Sequence, residues 1–461
     1  MIKSLFKSIP FSKYALLGAT ILAASSASAE TLKQSIEMAL KQNPDVRFAA
    51  THRSTTEMQL LQQKARYYPV VEIAGGIGYE KSRNPTASAL NSAGDGITLT
   101  RKESSLSLVQ NLFAGFSTVN EVDRLTQTVN AAAHNVNGTA QDTALLVVEK
   151  YLEILRHQQF VAEAKANLAA HQRVSGMIGD RSESGVSKGA DLDQAHGRLA
   201  LARANVIAEE AGLADAETAY MRVVGSYPKK LFRPLPPTEG YLPKSEKQAV
   251  LIALENNPIL KSANSDISAA KAQHKTSKHT NLPRIDAVLS GSRNANLDGQ
   301  PGPNDDQLAM VRGTWNLFNG GADVSRQRET AYQVQEASEV RNRTVLQIRE
   351  SMGFSWNAWK SSAKRLIPLG EHRRAAKATL DAYGEEFKLG DRTLLDLLDA
   401  QNEYYQSRLN YITGEFTEMY AKYRIFNVMG TLLQCLNIPL PPESIPKTAD
   451  NNKYTYGEIG L

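Results

Sequence analysis

The same short strings of residues return along this chain at a constant spacing, which marks it as two copies of one design. Gly185 and Gly390, Asp191 and Asp396, and Ala195 and Ala400 each stand 205 residues apart. Asn111-Leu112-Phe113 and Asn316-Leu317-Phe318 keep that spacing. So do Gly225 with Gly430, and Pro234-Leu235-Pro236-Pro237 with Pro439-Leu440-Pro441-Pro442. Nearer the start, Ala39–Pro44 is echoed by Ala253–Pro258 at a spacing of 214, which Pro69 and Pro283 share. The first half therefore carries nine extra residues between Pro69 and Asn111. The expected organisation is two structural repeats, 30–240 and 241–442, with a flexible tail at 443–461.

Both halves read in the same order. A short helix ends at Asn43-Pro44 or Asn257-Pro258, because a residue before proline avoids the helical region. A second helix, about 45–67 or 259–281, stops at Pro69 or Pro283. The hydrophobic period then changes to two. Val71, Ile73, Ile77 and Tyr79 alternate with Glu72, Ala74, Gly76 and Gly78, and Ile285, Ala287 and Leu289 with Asp286, Val288 and Ser290. These are strands with one apolar face. Loops at about 81–103 and 293–306 lead to second strands near Glu103–Phe113 and Leu308–Phe318, so the β-hairpins span about 69–114 and 283–318. Tyr79 and Trp315 are candidates for the aromatic belt of a membrane barrel. Glycines 115, 320 and 321 end the strands. Helical hairpins follow at about 117–225 and 322–432. Their first helices, sixty-odd residues at 1.5 Å each, measure roughly 90 Å. That length without internal caps predicts coiled-coil packing, and Pro368 predicts a kink or offset.

A leader precedes the first half. Lys3, Lys7 and Lys13 give a positive start, Ala15–Ala24 is a short apolar core, and Ala27-Ser28-Ala29 fits a cleavage site before Glu30. This pattern predicts a signal peptide at 1–29. After Glu30 no run of 18 apolar residues occurs, so any entry into a membrane is as a β-barrel. Four short strands cannot close one, since open edges in lipid leave backbone groups unpaired, and membrane barrels take about eight strands or more. Several copies must share the barrel. The expected fold is thus an α+β membrane protein. A transmembrane β-barrel, shared between chains with four strands from each, continues into a long α-helical coiled-coil barrel.

Composition closes other routes. The 53 lysines and arginines face 48 acidic residues, a net +5 spread along amphipathic helices, so no nucleic-acid partner is expected. Cys435 stands alone, so no intrachain disulfide forms. The eight histidines are scattered and no nucleophile, phosphate-loop or metal motif appears. No enzyme activity and no cofactor is expected.

The remaining feature is Gly390–Ala400. Asp396 and Asp399 lie three apart, on one helical face. The counterpart tip offers Lys188, Asp191 and Asp193. Taken together, the duplicated layout, the Asn-Pro helix ends, the Asn-Leu-Phe-x-Gly strand exits and Gly-x-Arg-Thr-x-x-Asp-x-x-Asp at Gly390–Asp399 resemble the TolC family of outer-membrane efflux and type I secretion channel proteins. The resemblance implies a homotrimer in outer membrane lipid, with a twelve-stranded barrel and a twelve-helix tunnel in the periplasm. It implies docking to a periplasmic adaptor and an inner-membrane transporter. It implies that Asp396 and Asp399 ring the periplasmic aperture and that Arg392 helps latch it shut. A tyrosine of that latch falls at Phe387, which lacks the hydroxyl. Lys188, Asp191 and Asp193, at the tip of the other hairpin, are candidate partners for Arg392 across a helix pair. The function so implied is an export duct for small molecules or a secreted protein; the alternative is a periplasmic coiled-coil adaptor or scaffold without a barrel.

Overall fold

The computed structural model describes residues 30–90, 96–184, 188–235 and 242–447. The expected leader, Gly185–Ser187 of the first tip, residues 236–241 of the connector and the tail from 448 lie outside the described residues. Apart from α3, which lies only in the first half, both halves show the same order of elements. Helices α1 (Leu32–Gln42) and α2 (Pro44–Lys64) lead to strand β1 (Val70–Ser82), helix α3 (Pro85–Leu90) and strand β2 (Ile97–Ala114). Helices α4 (Ser117–Glu183) and α5 (Gly189–Val224) complete the first half. The second half runs through α6 (Glu246–Asn256), α7 (Pro258–Thr276), β3 (Arg284–Ala295), β4 (Pro303–Thr314), α8 (Ala322–Leu389) and α9 (Leu394–Met429).

The Asn-Pro pairs earn their places twice over. Asn43 leaves the helical region at ψ 127°, ends α1 and caps α2 by accepting from the Asp45 N–H at 2.9 Å. Its Nδ2 donates to the Val223 carbonyl at 3.1 Å, near the end of α5. Asn257 does the same work: it accepts from the Ile259 and Leu260 N–H groups and donates to the Val428 carbonyl of α9 at 3.0 Å. Each asparagine thus ties a short helix pair to the last turn of its hairpin's second helix, at the end away from the tip. Both are buried. Asn257→Ala should cost about 2–3 kcal/mol, combining a lost cap with an unsatisfied buried carbonyl. A denaturant melt against wild type measures it.

Around these joints sits the main core. Tyr151 and Val148 of α4, Tyr220 of α5, Met352 and Trp356 of α8, and Tyr423 and Met429 of α9 pack with Ile36 of α1 and Ala253 of α6. From there the hairpins run out; α4 alone, 67 residues long, spans about 100 Å. The α8 helix continues unbroken through Pro368. Close approach of α9 supports it there: a Cβ on Gly414 would lie 3.0 Å from Leu369 Cδ1 and 3.2 Å from Leu366 Cδ2.

The four strands form one antiparallel sheet in the order β1-β2-β3-β4. Strand β2 pairs with β3, joining the two halves. Opposed residues share a face, so the register puts Val71, Leu108, Leu289 and Ala309 together, with Ile73 and Leu106 one step on. This apolar face is open: Ile73 is 83% and Tyr79 87% exposed. The opposite face carries Glu72, Ser107 and Ser290. Among the described residues the outer sides of β1 and β4 have no partner strand.

Strand limits differ from those expected. Strand β2 begins at Ile97, because Ile97–Arg101 pair with Gly78–Ser82; loop-like composition around them hid that pairing. Strand β4 begins at Pro303 and stops at Thr314, short of Phe318. As an edge strand it has nothing to hold its last residues, whereas the corresponding Asn111–Phe113 pair with β3. The start of the tail is also firmer than expected. The Lys447 N–H donates to Asn130 at 2.9 Å and its ammonium meets Glu57.

Candidate functional site at the helical tips

The far ends of the two hairpins meet in a small apolar cluster of Ile178, Ala195, Phe387, Leu394, Leu397 and Leu398. In the second hairpin, Gly390 takes φ 92°, a left-handed value that ends α8, with its N–H donating to the Phe387 carbonyl at 3.3 Å. Thr393 then caps α9.

Asp396 completes that cap. Its Oδ2 accepts from the Thr393 hydroxyl at 2.8 Å and the Thr393 N–H at 3.3 Å, while its own N–H donates to the Thr393 hydroxyl at 3.2 Å. The hydrogen bonds from Thr393, and after them the Arg392 charge, hold its carboxyl below the usual aspartate range. A lowered native pKa means this cap contributes above the unfolded value and is lost as pH falls through the native one. Acid therefore loosens the tip only below about pH 4.

Asp399 lies one turn on and reaches across to the other hairpin. Arg198 of α5 donates to Asp399 Oδ1 at 2.9 Å. Sequence reasoning missed Arg198. Its signal was weak: it sits one helical turn beyond Gln194, the residue 205 before Asp399. Behind this pair His171 of α4 is buried, with no partner for Nδ1. Burial, then the Arg198 charge, pushes its imidazole below the ordinary histidine range.

Arg392 is held by its own hairpin. Its Nε donates to Glu386 at 2.6 Å and its guanidinium stacks 4.2 Å from the Tyr383 ring. Both partners stand on α8, within direct reach of the turn, whereas the other tip lies across the hairpin gap. Phe387 is 5% exposed and packs under Arg181, whose guanidinium is 4.8 Å from the ring. It is a core residue of the tip. The phenol beside Arg392 is that of Tyr383, one turn earlier on α8, which sequence reasoning overlooked by looking only at position 387. Lys188 precedes α5, where its carbonyl accepts from the Asp191 N–H at 3.0 Å; Asp193 is exposed.

Among the described residues no group of histidine, cysteine and acidic side chains has the arrangement to hold a metal ion, and no helix is long and apolar enough to cross a membrane. What the tips offer is charge: a pair of carboxylates, half-buried Asp396 held by a cap and exposed Asp399 held by an arginine from the opposite hairpin.

Comparison with known proteins accounts for this architecture. The sequence matches the outer membrane efflux protein family over residues 35–226 and 250–422. It is similar to the outer membrane efflux protein BepC of Brucella suis biovar 1 (strain 1330), 26% identical over 420 residues that cover 90% of this chain and 89% of that protein. It is similar also to the outer membrane protein TolC of Salmonella enteritidis, 23% identical over 451 residues covering 92% and 89%. The fold matches the open state of the MtrE outer membrane channel of Neisseria gonorrhoeae with a TM-score of 0.73 and 17% identity, over 87% of this chain and 89% of that one. The chain belongs to the outer membrane efflux protein family, and its place is the outer membrane.

Proposed function

We propose that three copies of this chain form an export duct, closed at the helical tips and opened when a periplasmic adaptor and an inner-membrane transporter engage them. The observation that carries this reading is the sheet. Its apolar face is uncovered, and both β1 and β4 present free edges that only another chain can pair in lipid. Joined edge to edge, three sheets give a twelve-stranded barrel; its helices continue as a tunnel about 100 Å long. The two halves of each chain are then structural repeats, each supplying one β-hairpin and one helical hairpin.

In this arrangement Asp396 and Asp399 from three chains make an aperture ring of six carboxylates. Rings of acidic side chains favour cations. Arg198, Arg392, Glu386 and Tyr383 form the latch: the Arg198–Asp399 pair holds hairpin to hairpin, and Arg392 holds its own turn in shape. Such partly exposed pairs are individually weak, because solvent screens them. A docking partner that favours the open tips by a few kcal/mol is enough to shift them. The transporter supplies the energy for export. The cargo, small molecules or a secreted protein, is identified by comparing the exported proteins and drug sensitivities of a deletion strain with its parent.

Detergent extraction tests the assembly. The protein should sediment with outer membranes and give the molar mass of three chains after correction for detergent. A soluble monomer would favour the scaffold reading instead.

A further inference from the structure

Glu30 is 5% exposed, and no other Asp or Glu among the described residues is buried as deeply. Its carboxylate accepts from the Tyr220 hydroxyl of α5 at 2.6 Å, the Ser35 hydroxyl of α1 at 2.9 Å and the Lys229 N–H of the connector at 3.3 Å. Its carbonyl accepts from the Tyr151 hydroxyl of α4 at 2.9 Å and the Phe232 N–H at 3.1 Å. Its own nitrogen donates to the Lys230 carbonyl at 2.8 Å. Hydrogen bonds therefore surround the residue. Yet among the described residues no lysine, arginine or histidine side chain reaches the carboxylate. A buried charge with no opposite charge is strongly unfavourable.

The sequence places a source of that charge one bond away. Ala27-Ser28-Ala29 is a small-residue cleavage pattern immediately before Glu30. We propose that the countercharge is the α-ammonium of Glu30 itself, made when the Ala29–Glu30 peptide bond is cut, so that maturation completes a buried ion pair. Water adds across the bond, with a signal peptidase as catalyst. Ala29 leaves with a carboxylate, and Glu30 keeps an amine that takes up a proton. The geometry is ready for this: nitrogen and carboxylate both lie on the Lys229–Lys230 strip, one facing a carbonyl and the other an N–H. An uncut chain keeps a neutral amide at that nitrogen and leaves the carboxylate unpaired.

The groups facing Glu30 are Tyr220 from α5, Tyr151 from α4, Ser35 from α1 and the connector backbone. Burial pushes both phenols up, Tyr151 to about 12, so they stay neutral where an α-amine, ordinarily near 8, titrates. Pairing raises the native pKa of the amine. The stability it contributes is full below the unfolded value and is lost as pH rises through the raised one.

Amino-terminal sequencing of protein taken from outer membranes should begin at Glu30. Thermal unfolding of wild type should then weaken between about pH 8 and pH 10, while Glu30→Gln, which keeps the acceptor oxygen, should lose much less over that range. A chain with Gly-Ser inserted after Ala29, its cut before the insert checked by intact mass, should behave like Glu30→Gln. A mature chain that starts elsewhere overturns the proposal. So does an alkaline loss as large in Glu30→Gln as in wild type. Neither result bears on whether the assembled protein conducts.

Discussion

Changing Asp396 and Asp399 together to asparagine is expected to weaken block of the duct by a trivalent cation by on the order of 100-fold in planar bilayers. A unit charge about 4 Å from an ion contributes about 1 kcal/mol in bulk water, and more in a narrow aperture. Losing several such charges removes a few kcal/mol, and each 1.4 kcal/mol is about tenfold. Asparagine keeps an oxygen for the Thr393 donors that now reach Asp396, so the cap on α9 remains and the charge alone is tested. The two positions are not equal. Arg198 already offsets Asp399, so Asp396→Asn should account for most of the loss. Wild-type block in the double variant would remove the aperture ring from the account.

Arg198→Ala with Arg392→Ala is expected to raise the open fraction of single channels on the order of tenfold, and to make cells more sensitive to large antibiotics. The tie between hairpins at Arg198–Asp399 and the brace from Arg392 to Glu386 are each weak, but three chains multiply them. One outcome separates latch from ring. Arg198→Ala frees Asp399, so it should strengthen cation block while it opens the gate. A variant that leaks and also loses block has lost its tip structure. Phe387 gives the control: Phe387→Ala removes a buried ring from the tip cluster and should leak without any gain in cation affinity.

Much of the architecture was legible because it rests on local rules applied twice. Asn43 and Asn257 announced helix ends through proline, and the period-two runs after Pro69 and Pro283 announced strands. The limits of β2 and β4 were not legible. They depend on which strand lies alongside, and Ile97–Arg101 count as strand only because Gly78–Ser82 pair with them. At the tips the carboxylates were legible from spacing alone. Their partners were not, because contacts across hairpins such as Arg198 with Asp399 are set by helix packing over two hundred residues of chain. Position 387 shows the same limit at short range: a missing hydroxyl there said nothing of Tyr383, one turn away on the same helix. Asp396 also completes the cap on α9, and that is what fixes its carboxylate at the tip.

Single-channel recording of the purified protein in planar bilayers decides whether the assembled chain conducts and whether its tips gate it. The account predicts discrete, cation-favouring current steps that are small in wild type and open far more often once Arg198 and Arg392 are replaced. Protein that inserts yet conducts identically with and without those arginines would contradict a gate at the tips, and protein that never conducts would contradict the duct.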